Sequence, residues 1–365
     1  MTLPSYPCTY MRGGTSRALI FQESDLPGHR ADWDDIFLRA LGSPDVYGRQ
    51  LNGMGGGISS LSKVAILKPS SREDADVEYT FAQVSVTERK VDYKGNCGNI
   101  SSAIGPYCVF NKWVKGEGSE AHVRIFNTNT QKVIHSRFPL HNDEVIFTGD
   151  LQIPGVSGTG APIQLEFLDP GGATTGRLLP TGQTQDLLKT SQGQSLRASM
   201  IDAANACVFV LAKDLGLRGN EAPEELNRPD LLQKLEDLRL QASVTMGIAA
   251  NTEEAKQSIA IPYLGLVSEA YETGMDFSLR VIASGQPHKA LPLTVSLCAA
   301  VTAKLPGSLI YEILKSKDQN EIRIGMPSGI LTLNAKVEKR HSQWVALSGS
   351  FYRTAKILFT GRVYV

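Results

Sequence analysis

The sequence predicts an α+β protein of two similar domains, each a curved mixed β-sheet around one central buried helix. Glycine (34 residues) and proline (18 residues) punctuate short runs rich in β-branched and aromatic residues, which is typical of a chain made mostly of strands. Residues 100–110 and 290–304 are apolar on nearly every side, and helices without a polar face are buried. One such helix falls in each half of the 365-residue chain, a length that suits two domains of roughly 150 residues or more.

Alternating apolar and polar residues predict the individual strands. Val77, Tyr79 and Phe81 alternate with polar residues, and Phe277 and Leu279 do the same, so each run has one buried face. Further strands are expected over residues 63–68, 122–126, 163–167, 258–263, 330–337 and 354–360. Residues 230–246 are predicted to form a surface helix with one apolar stripe, formed by Leu231, Leu235, Leu238, Ala242 and Met246.

The first domain is placed at residues 1–185 and the second at residues 186–365, with the option that the last strands return to the first domain. Residues 170–194, rich in Gly, Thr and Gln, are the expected connection. The first domain then carries Lys63 and Cys97, and the second carries His288.

Composition and charge exclude several classes of protein. The 37 basic and 37 acidic residues cancel, so the chain lacks the broad positive field that binding to nucleic acid or to an anionic membrane requires. No apolar run reaches roughly 20 residues, the length of a membrane span, and no secretory signal is visible. The cysteines are scattered without a CxxC pair, which indicates free thiols in a reducing compartment and predicts a cytoplasmic location. The sequence leaves open whether the chain forms a homodimer.

The segment Gly-Asn-Cys-Gly-Asn at residues 95–99 directly precedes the first buried helix. It places the thiol of Cys97 where free backbone N–H groups and the helix dipole favour negative charge, and therefore the reactive thiolate. A lone cysteine beside a helix is also commonly a packing residue. The flanking Gly and Asn residues favour a ligand site, because they let a ligand approach the backbone closely. Cys108, Cys207 and Cys298 lack this setting and are expected in the core.

Lys63 is a second candidate, at the start of an apolar strand and after the glycine run at residues 55–57. A lysine that enters the interior there loses its charge more readily and becomes a usable acid or base. The alternative is a strand-end lysine with its stem on apolar surface and its ammonium in water. The glycine run does not predict a nucleotide site, since Ile58 stands where the dinucleotide fingerprint needs its last glycine and no GK[ST] follows.

Two further polar turns are candidate anion sites. Residues 12–17, Arg-Gly-Gly-Thr-Ser-Arg, offer two guanidinium groups, two hydroxyls and free amides to a carboxylate, although they also suit a plain hairpin turn. In the second half, His288 and Lys289 precede the buried helix, and residues 326–329 form another tight polar turn. The six histidines show no metal-binding spacing, so no metal site is expected.

Three segments together carry a resemblance to a known family: Met-Arg-Gly-Gly-Thr-Ser at residues 11–16, the strand at residues 76–84, and Gly-Asn-Cys-Gly-Asn at residues 95–99. In order and spacing they resemble the PrpF-type family, which includes 2-methylaconitate cis-trans isomerases, 4-oxalomesaconate tautomerases, methylitaconate isomerases and aconitate isomerases. The resemblance covers nearly the whole chain. It implies the diaminopimelate-epimerase-like fold with two pseudo-symmetric domains, the architecture that the pattern of strands and helices also predicts.

The resemblance implies an isomerase or tautomerase that uses no cofactor and acts on a small unsaturated di- or tricarboxylic acid. A proton leaves one carbon beside a carboxylate or carbonyl and another returns two carbons away, which moves a C=C bond. Cys97 and Lys63 are carried over as the acid/base pair, with either one as the base. The substrate-binding residues expected beside them are Arg12, Thr15, Ser16, Arg17, Ser62, Gly98, Asn99, His288, Ser328 and Gly329. Which unsaturated acid is the substrate stays open.

Two other functions stay open from the residues alone. One is a non-catalytic carboxylate-binding accessory protein that serves an aconitase-like enzyme, in which Cys97 is merely packed. The other is an amino-acid epimerase. The related epimerases use two cysteines, but where such an enzyme would carry its second thiol the sequence reads His-Lys-Ala-Leu at residues 288–291, which disfavours that function.

Overall fold

The structure, a computed structural model, describes residues 3–93, 95–116, 118–190, 193–258, 261–283, 285–317 and 321–365. The chain forms two compact units. Met1–Glu166 with Tyr352–Val365 make the first, and Phe167–Phe351 make the second. The predicted boundary at residue 185 therefore lies inside the second unit, and the end of the chain belongs to the first.

Strands dominate the chain and helices are few. In chain order the strands are β1 (Ser5–Gly13), β2 (Ser16–Gln22), β3 (Lys63–Pro69), β4 (Val77–Val84), β5 (Val91–Asp92), β6 (Glu120–Asn127), β7 (Lys132–His141), β8 (Glu144–Val145), β9 (Ile163–Leu168), β10 (Asp186–Lys189), β11 (Ser195–Ala203), β12 (Asn205–Leu211), β13 (Tyr263–Glu269), β14 (Phe277–Ala283), β15 (Gln286–Pro287), β16 (Glu321–Met326), β17 (Gly329–Arg340), β18 (Gln343–Arg353) and β19 (Ala355–Tyr364). The helices are α1 (Trp33–Leu41), α2 (Gly98–Phe110), α3 (Pro223–Leu226), α4 (Pro229–Thr245), α5 (Thr252–Ala255), α6 (Leu293–Thr302) and α7 (Leu309–Ile313). Short 3-10 turns lie at Glu23–Asp25, Arg30–Asp32, Ser59–Leu61 and Ala212–Leu215.

The predicted elements have counterparts in the structure, with one difference. The helices predicted over residues 100–110, 230–246 and 290–304 correspond to α2, α4 and α6. The predicted strands correspond to β3, β4, β6, β9, β14, β17 and β19. The strand predicted over residues 258–263 lies partly outside the described residues, and β13 begins only at Tyr263, directly after Pro262, whose missing N–H cannot join a ladder of hydrogen bonds. Within the described ranges, none of the helices is both long and apolar enough to cross a bilayer.

In the first unit the paired strands follow the order β19–β1–β2–β3–β4–β6–β7. The pairs β2–β3 and β4–β6 are parallel, and the other neighbours are antiparallel. Helix α1 packs with Leu19, Val64 and Ile66 in one core cluster. Helix α2 packs against β1, β6 and β19, and it is buried from Gly98 through Val109, as a helix without a polar face should be.

The second unit repeats this order of strands. Its paired strands run β10–β11–β12–β13–β14–β16–β17–β18, again with two parallel pairs, β12–β13 and β14–β16. Helix α6 follows the short strand β15 as α2 follows β5, and it is buried along its whole length. Leu231, Leu235 and Leu238 of α4 pack against Val208 and Leu264, which confirms the predicted apolar stripe. The sequence predicted two similar domains from one buried helix in each half, and the strand order of the two units shows this repeat.

Candidate active site

Lys63 and Cys97 are brought to the same side of the strands of the first unit. Lys63 opens β3 and lies opposite Gln83 of β4. Tyr79 shares the face of Gln83, because residues two apart along a strand point to the same side. The Tyr79 hydroxyl is close to Ser101 and Cys97 at the start of α2, and burial together with the neighbouring thiol raises the pKa of Tyr79 well above its ordinary value. This face of the strands therefore meets the beginning of α2.

Cys97 is the residue immediately before α2. Its backbone is extended, with φ −115° and ψ 97°, and its carbonyl accepts hydrogen bonds from the N–H (2.9 Å) and the hydroxyl (3.1 Å) of Ser101. In the described part of the chain no side chain caps this helix start. The N–H groups of Gly98, Asn99 and Ile100 are thus left without an intrahelical acceptor. The helix dipole at this point stabilises an anion, either a thiolate or a bound carboxylate, by about 0.3–1 kcal/mol.

The exposure of Cys97 sets it apart from the other cysteines. All five cysteines lie in the described ranges as free thiols, and Cys97 alone is partly exposed. Burial raises the pKa of Cys8 to about 11 and raises those of Cys108 and Cys207 further. The prediction that Cys108, Cys207 and Cys298 belong to the core is confirmed. Cys97 is the thiol that a ligand can reach.

Asparagine amides hold the loop that leads to Cys97. Asn127, fully buried at the end of β6, donates from Nδ2 to Oδ1 of Asn96 at 3.3 Å. The Oδ1 of Asn127 accepts from the N–H and the hydroxyl of Thr130, at 2.9 and 2.8 Å. Asn129 accepts from the N–H of Phe81 at 2.7 Å and donates to its carbonyl at 2.9 Å. Sequence reasoning missed these residues, although the Asn-Thr-Asn-Thr run at the end of an apolar strand was an available signal.

The turn between β1 and β2 is clamped onto the start of α2. The N–H of Thr15 donates to Oδ1 of Asn99 at 3.2 Å. A Cβ on Gly13 would lie 2.4 Å from the backbone oxygen of Asn99, and one on Gly14 would lie 2.0 Å from its Oδ1. Gly14 also has φ +51°, a conformation that favours glycine. Glycine is required at both positions because the turn and the helix are in direct contact.

Two arginines flank this turn, Arg12 half-buried and Arg353 buried. Arg12 donates from Nη1 to the carbonyls of Gly14 and Thr354, both at 2.9 Å. Arg353 is 5% exposed, and its Cδ lies 3.2 Å from the point where Gly14 would carry a Cβ. Burial lowers the pKa of both guanidinium groups, because leaving water disfavours the charged form. Arg353 was missed from the sequence, since only the strand pairing brings the end of the chain to the first turn.

Lys63 is buried, with 8% of its surface exposed. Its Nζ donates to Oε1 of Gln83 at 2.5 Å and lies 5.0 Å from the ring centroid of Phe81. Both contacts are with electron-rich, uncharged groups. Of the two orientations considered from the sequence, the structure has the interior one.

Three of the predicted binding residues of the first unit, Arg12, Arg17 and Ser62, are not brought to the start of α2. Arg17 lies over the ring of Tyr10, 5.5 Å from its centroid, on the side of β2 opposite to Ser16. Ser62 is fully buried, and its hydroxyl accepts a hydrogen bond from Nε2 of Gln50 at 2.7 Å. The structure therefore places Thr15, Gly98 and Asn99 beside Cys97 at the start of α2, and it places Ser16 and Lys63 on the strand faces turned towards that helix. Arg12 lies opposite Arg17 in the β1–β2 pair, on the same face, and its Nη1 donates to the carbonyls of Gly14 and Thr354.

His288, Ser328 and Gly329 belong to the second unit. The backbone N–H of His288 donates to the carbonyl of Val281 at 2.9 Å. Ser328 and Gly329 line a pocket of about 680 Å³ together with Arg280. Their part in binding a substrate stays a prediction.

The start of α6 carries no second thiol. Cys97 lies between β5 and α2, and the residue at the same distance after β15 is Pro292, which directly precedes α6. The segment at residues 288–291, which sequence reasoning placed at this position, lies just before it. Proline has no ionisable side chain, so the arrangement of two facing cysteines that the amino-acid epimerase alternative needs has no counterpart at this helix.

No metal centre can be built from the described residues. Within those ranges no group of three or more His, Cys, Asp or Glu side chains is placed to hold an ion. The candidate residues on this side of the strands and at the adjoining turn offer thiol, amine, amide and guanidinium groups instead. This set suits proton transfer and the binding of carboxylates.

Comparison with known proteins places these residues in a family. The family model described as PrpF protein matches residues 4–365. The chain is 39% identical to 3-methylitaconate isomerase of Eubacterium barkeri, with 98% of this chain and 97% of that protein covered. It is 34% identical to 2-methyl-aconitate isomerase of Cupriavidus necator, with 98% and 96% covered. The crystal structure of methylitaconate-delta-isomerase is 37% identical, with a TM-score of 0.82 and coverage of 100% of this chain and 96% of that one.

The fold extends to more distant proteins. A hydroxyproline epimerase from Agrobacterium vitis shares it at 10% identity, with a TM-score of 0.58 and coverage of 99% of this chain and 93% of that one. The epimerase-like fold that the resemblance implied is thereby confirmed. The two relatives named above are isomerases, and this chain is an enzyme of that class. It belongs to the PrpF protein family.

Proposed function

We propose that this isomerase moves a C=C bond within a small unsaturated di- or tricarboxylic acid, without a cofactor, and that Cys97 and Lys63 exchange the proton. The observation that carries the proposal is the partly exposed thiol of Cys97 at the start of α2, on the side of the strands that Lys63 faces. The names of the relatives support the substrate class, since they specify methylitaconate and 2-methylaconitate. The cytoplasmic location and a homodimer stay predictions.

The reaction is a 1,3-proton shift. A base removes a proton from the saturated carbon next to the double bond, and the C–H electron pair becomes part of a new C=C bond. The original π electrons move toward the carbon that bears a carboxylate, so negative charge collects on the carboxylate oxygens. An acid then delivers a proton to the carbon two positions away. Substrate and product have the same formula, and the two protein groups have exchanged protonation states.

Stabilising the intermediate's negative charge is the main task of the site. The free N–H groups of Gly98 and Asn99 lie at the positive end of α2, and Arg12 and Arg353 add positive charge beside the adjoining turn. The hydroxyls of Thr15 and Ser16 extend the same anion site. One well-placed donor to a developing oxyanion is worth about 10²–10³ in rate.

Either member of the pair can take the first proton. If Cys97 is a thiolate and Lys63 an ammonium, Cys97 is the base and Lys63 is the acid. If Cys97 is a thiol and Lys63 a neutral amine, Lys63 is the base and Cys97 is the acid. These two states differ only in the position of one proton, so each complete turnover leaves the pair ready for the opposite direction. A reversible isomerase needs this symmetry.

The test is proton NMR of methylitaconate and 2-methylaconitate with the enzyme in deuterated buffer. We expect the parent to move the double bond and to incorporate deuterium at the ends of the allylic unit. Cys97→Ala and Lys63→Met should each lose at least about 100-fold in rate, since an acid/base group contributes about 10²–10⁴. Matched controls are Cys108→Ala in the same helix and Lys68→Met on the same strand, which should keep the parent rate. Isomerisation at the parent rate by both Cys97→Ala and Lys63→Met would overturn the proposal.

A further inference from the structure

The side-chain amide of Gln83 has a fixed orientation. Its Nε2 donates to the carbonyls of Ser59 and Ser62, at 3.0 and 2.9 Å, in the turn that precedes β3. Both partners are acceptors, so the amide nitrogen must face them and Oε1 must face the other way. There Oε1 accepts the hydrogen bond from Nζ of Lys63. The amide therefore connects the Lys63 amine to a rigid piece of backbone.

The partners of the Lys63 amine contrast with those of Lys68, which lies on the same strand. Lys68 is near two carboxylates, Glu78 at 3.2 Å and Glu23 at 3.6 Å, and its hydrogen bond to Glu78 raises its pKa. In the part of the chain that the structure describes, the contacts of Lys63 Nζ are instead with the neutral amide of Gln83 and the ring of Phe81. An ion pair would favour the ammonium form over the neutral amine, and a neutral acceptor does so far less.

We propose that Gln83 is a positioning residue for Lys63. It holds the amine at the start of β3 on the side that faces α2, and as a neutral acceptor it leaves the amine free to gain and lose a proton during turnover. The inference rests on the proposed acid/base role of Lys63. A carboxylate in place of the amide would still accept a hydrogen bond from the amine but would keep it protonated.

Two variants of Gln83 separate the positioning of the Lys63 amine from the charge of its hydrogen-bond acceptor. Gln83→Glu keeps the size and an acceptor oxygen but adds a negative charge, whereas Gln83→Met keeps the length and removes the acceptor. Gln152→Glu, at an exposed position of the same unit, controls for the added charge alone. Both Gln83 variants lose the bonds to Ser59 and Ser62, so thermal unfolding of each variant is measured first.

Ionisation of the Lys63 amine is then measured without a substrate. Acetic anhydride acetylates neutral amines, so the extent of Lys63 acetylation against pH, read by mass spectrometry, has its midpoint where the amine loses its proton. Gln83→Glu should move this midpoint up by about one to two pH units, and Gln152→Glu should leave it in place. The same upward shift should appear in one limb of the pH profile of kcat/KM for methylitaconate. A shifted acidic limb identifies Lys63 as the base, and a shifted alkaline limb identifies it as the acid.

Gln83→Met tests positioning. The amine remains but is no longer held, so kcat should fall about 10- to 100-fold with a smaller change in KM. The inference about Gln83 would be overturned by a folded Gln83→Glu protein with the parent acetylation midpoint, or by a folded Gln83→Met enzyme with the parent kcat. In either case an inactive Lys63→Met enzyme would leave the proposed function standing. If Lys63→Met isomerised at the parent rate, the proposed acid/base role of Lys63 would fail, and the positioning role of Gln83 with it. A purely structural Gln83 would lower the unfolding temperature without moving either the midpoint or the pH limbs.

Discussion

Gly13→Ala should displace the start of α2 from the turn between β1 and β2. A Cβ on Gly13 would lie 2.4 Å from the backbone oxygen of Asn99 and 3.1 Å from the Cα of Ile100. Both atoms belong to the backbone, so neither can rotate away. Reaching an ordinary contact of 3.4 Å requires the turn and the helix to separate by about 1.0 Å. Overpacking of this kind costs about 1–3 kcal/mol of stability, and a 1 Å misplacement at a catalytic centre costs about 100-fold in rate.

The assay combines two measurements on the same preparation. Urea unfolding gives the free energy of unfolding, and NMR of double-bond migration gives kcat. Gly28→Ala is the matched control, because no heavy atom lies within 4 Å of its Cβ position and it should behave like the parent. A Gly13→Ala enzyme with the parent stability and kcat would refute the steric reasoning, since it would show that the turn does not fix the position of the helix.

The amide of Asn127 should contribute to stability, because Asn127→Ala leaves buried partners unsatisfied and should lower the free energy of unfolding by about 1–3 kcal/mol in urea; an unchanged value would contradict this. Iodoacetamide should alkylate Cys97 in the native protein and spare Cys108, and equal labelling of the two in peptide mass spectrometry would count against the assigned exposure. Asp76→Asn should lower Tm at neutral pH: burial acts to raise the pKa of Asp76, but hydrogen bonds from Arg124 outweigh it and lower the pKa. The stabilisation by Asp76 is complete above the unfolded-state pKa of about 3.9 and is lost as pH falls through the lower pKa of the folded state. The Tm difference between the parent and Asp76→Asn should therefore shrink below about pH 4. A Tm difference that does not change with pH would argue against this linkage.

The features that the sequence predicted depend on residues close together in the chain. The burial of α2 and α6 follows from the lack of a polar face, which is visible within three turns of helix. The position of Cys97 follows from a polar, glycine-containing approach that ends where an apolar helix begins. Both signals are local, so neither requires knowledge of what the helix packs against.

The side of a strand on which a residue lies was not available in the same way. Ser62 and Lys63 are neighbours, yet the hydroxyl of Ser62 accepts from Gln50 while Lys63 faces α2. Ser16 and Arg17 are likewise neighbours on opposite sides of β2. A shift of one residue in register would exchange the two faces, and the register is set by the pairing of several strands. The composition of a short polar segment therefore shows which chemical groups are present, but not which of them reach the site.

Residues that act through a distant partner were the hardest to find. Gln83 reaches Lys63 across β3 and β4, Asn127 reaches Asn96 from β6, and Arg353 meets the first turn from the far end of the chain. Each looks unremarkable within its own segment. Their roles depend on the antiparallel pairing of β3 with β4, on the parallel pairing of β4 with β6 and on the return of the last strand to β1. These pairings are non-local properties of the fold.

Each unit contains an equivalent hydrogen bond between its buried helix and a neighbouring turn, and this bond belongs to the fold rather than to catalysis. In the first unit Asn99, the second residue of α2, accepts a hydrogen bond from Thr15 of the adjoining turn at 3.2 Å. In the second unit Thr294, the second residue of α6, accepts one from Asn205 at the corresponding turn, at 2.6 Å. A buried helix must begin at a defined place between strands, and a polar contact with a neighbouring turn fixes that place while satisfying groups that burial removes from water.

The residue just before each helix is under no such requirement. It is Cys97 in the first unit and Pro292 in the second, and both precede helices buried in the same topology. Because the side chain at this position is a thiol in one unit and a proline ring in the other, it is not what holds the helix in position. The chemistry that we propose for Cys97 therefore uses a position that the scaffold leaves free. For that reason Cys97→Ala should unfold in urea at the parent midpoint while losing isomerisation, and a variant that lost both together would show that the thiol also supports the fold.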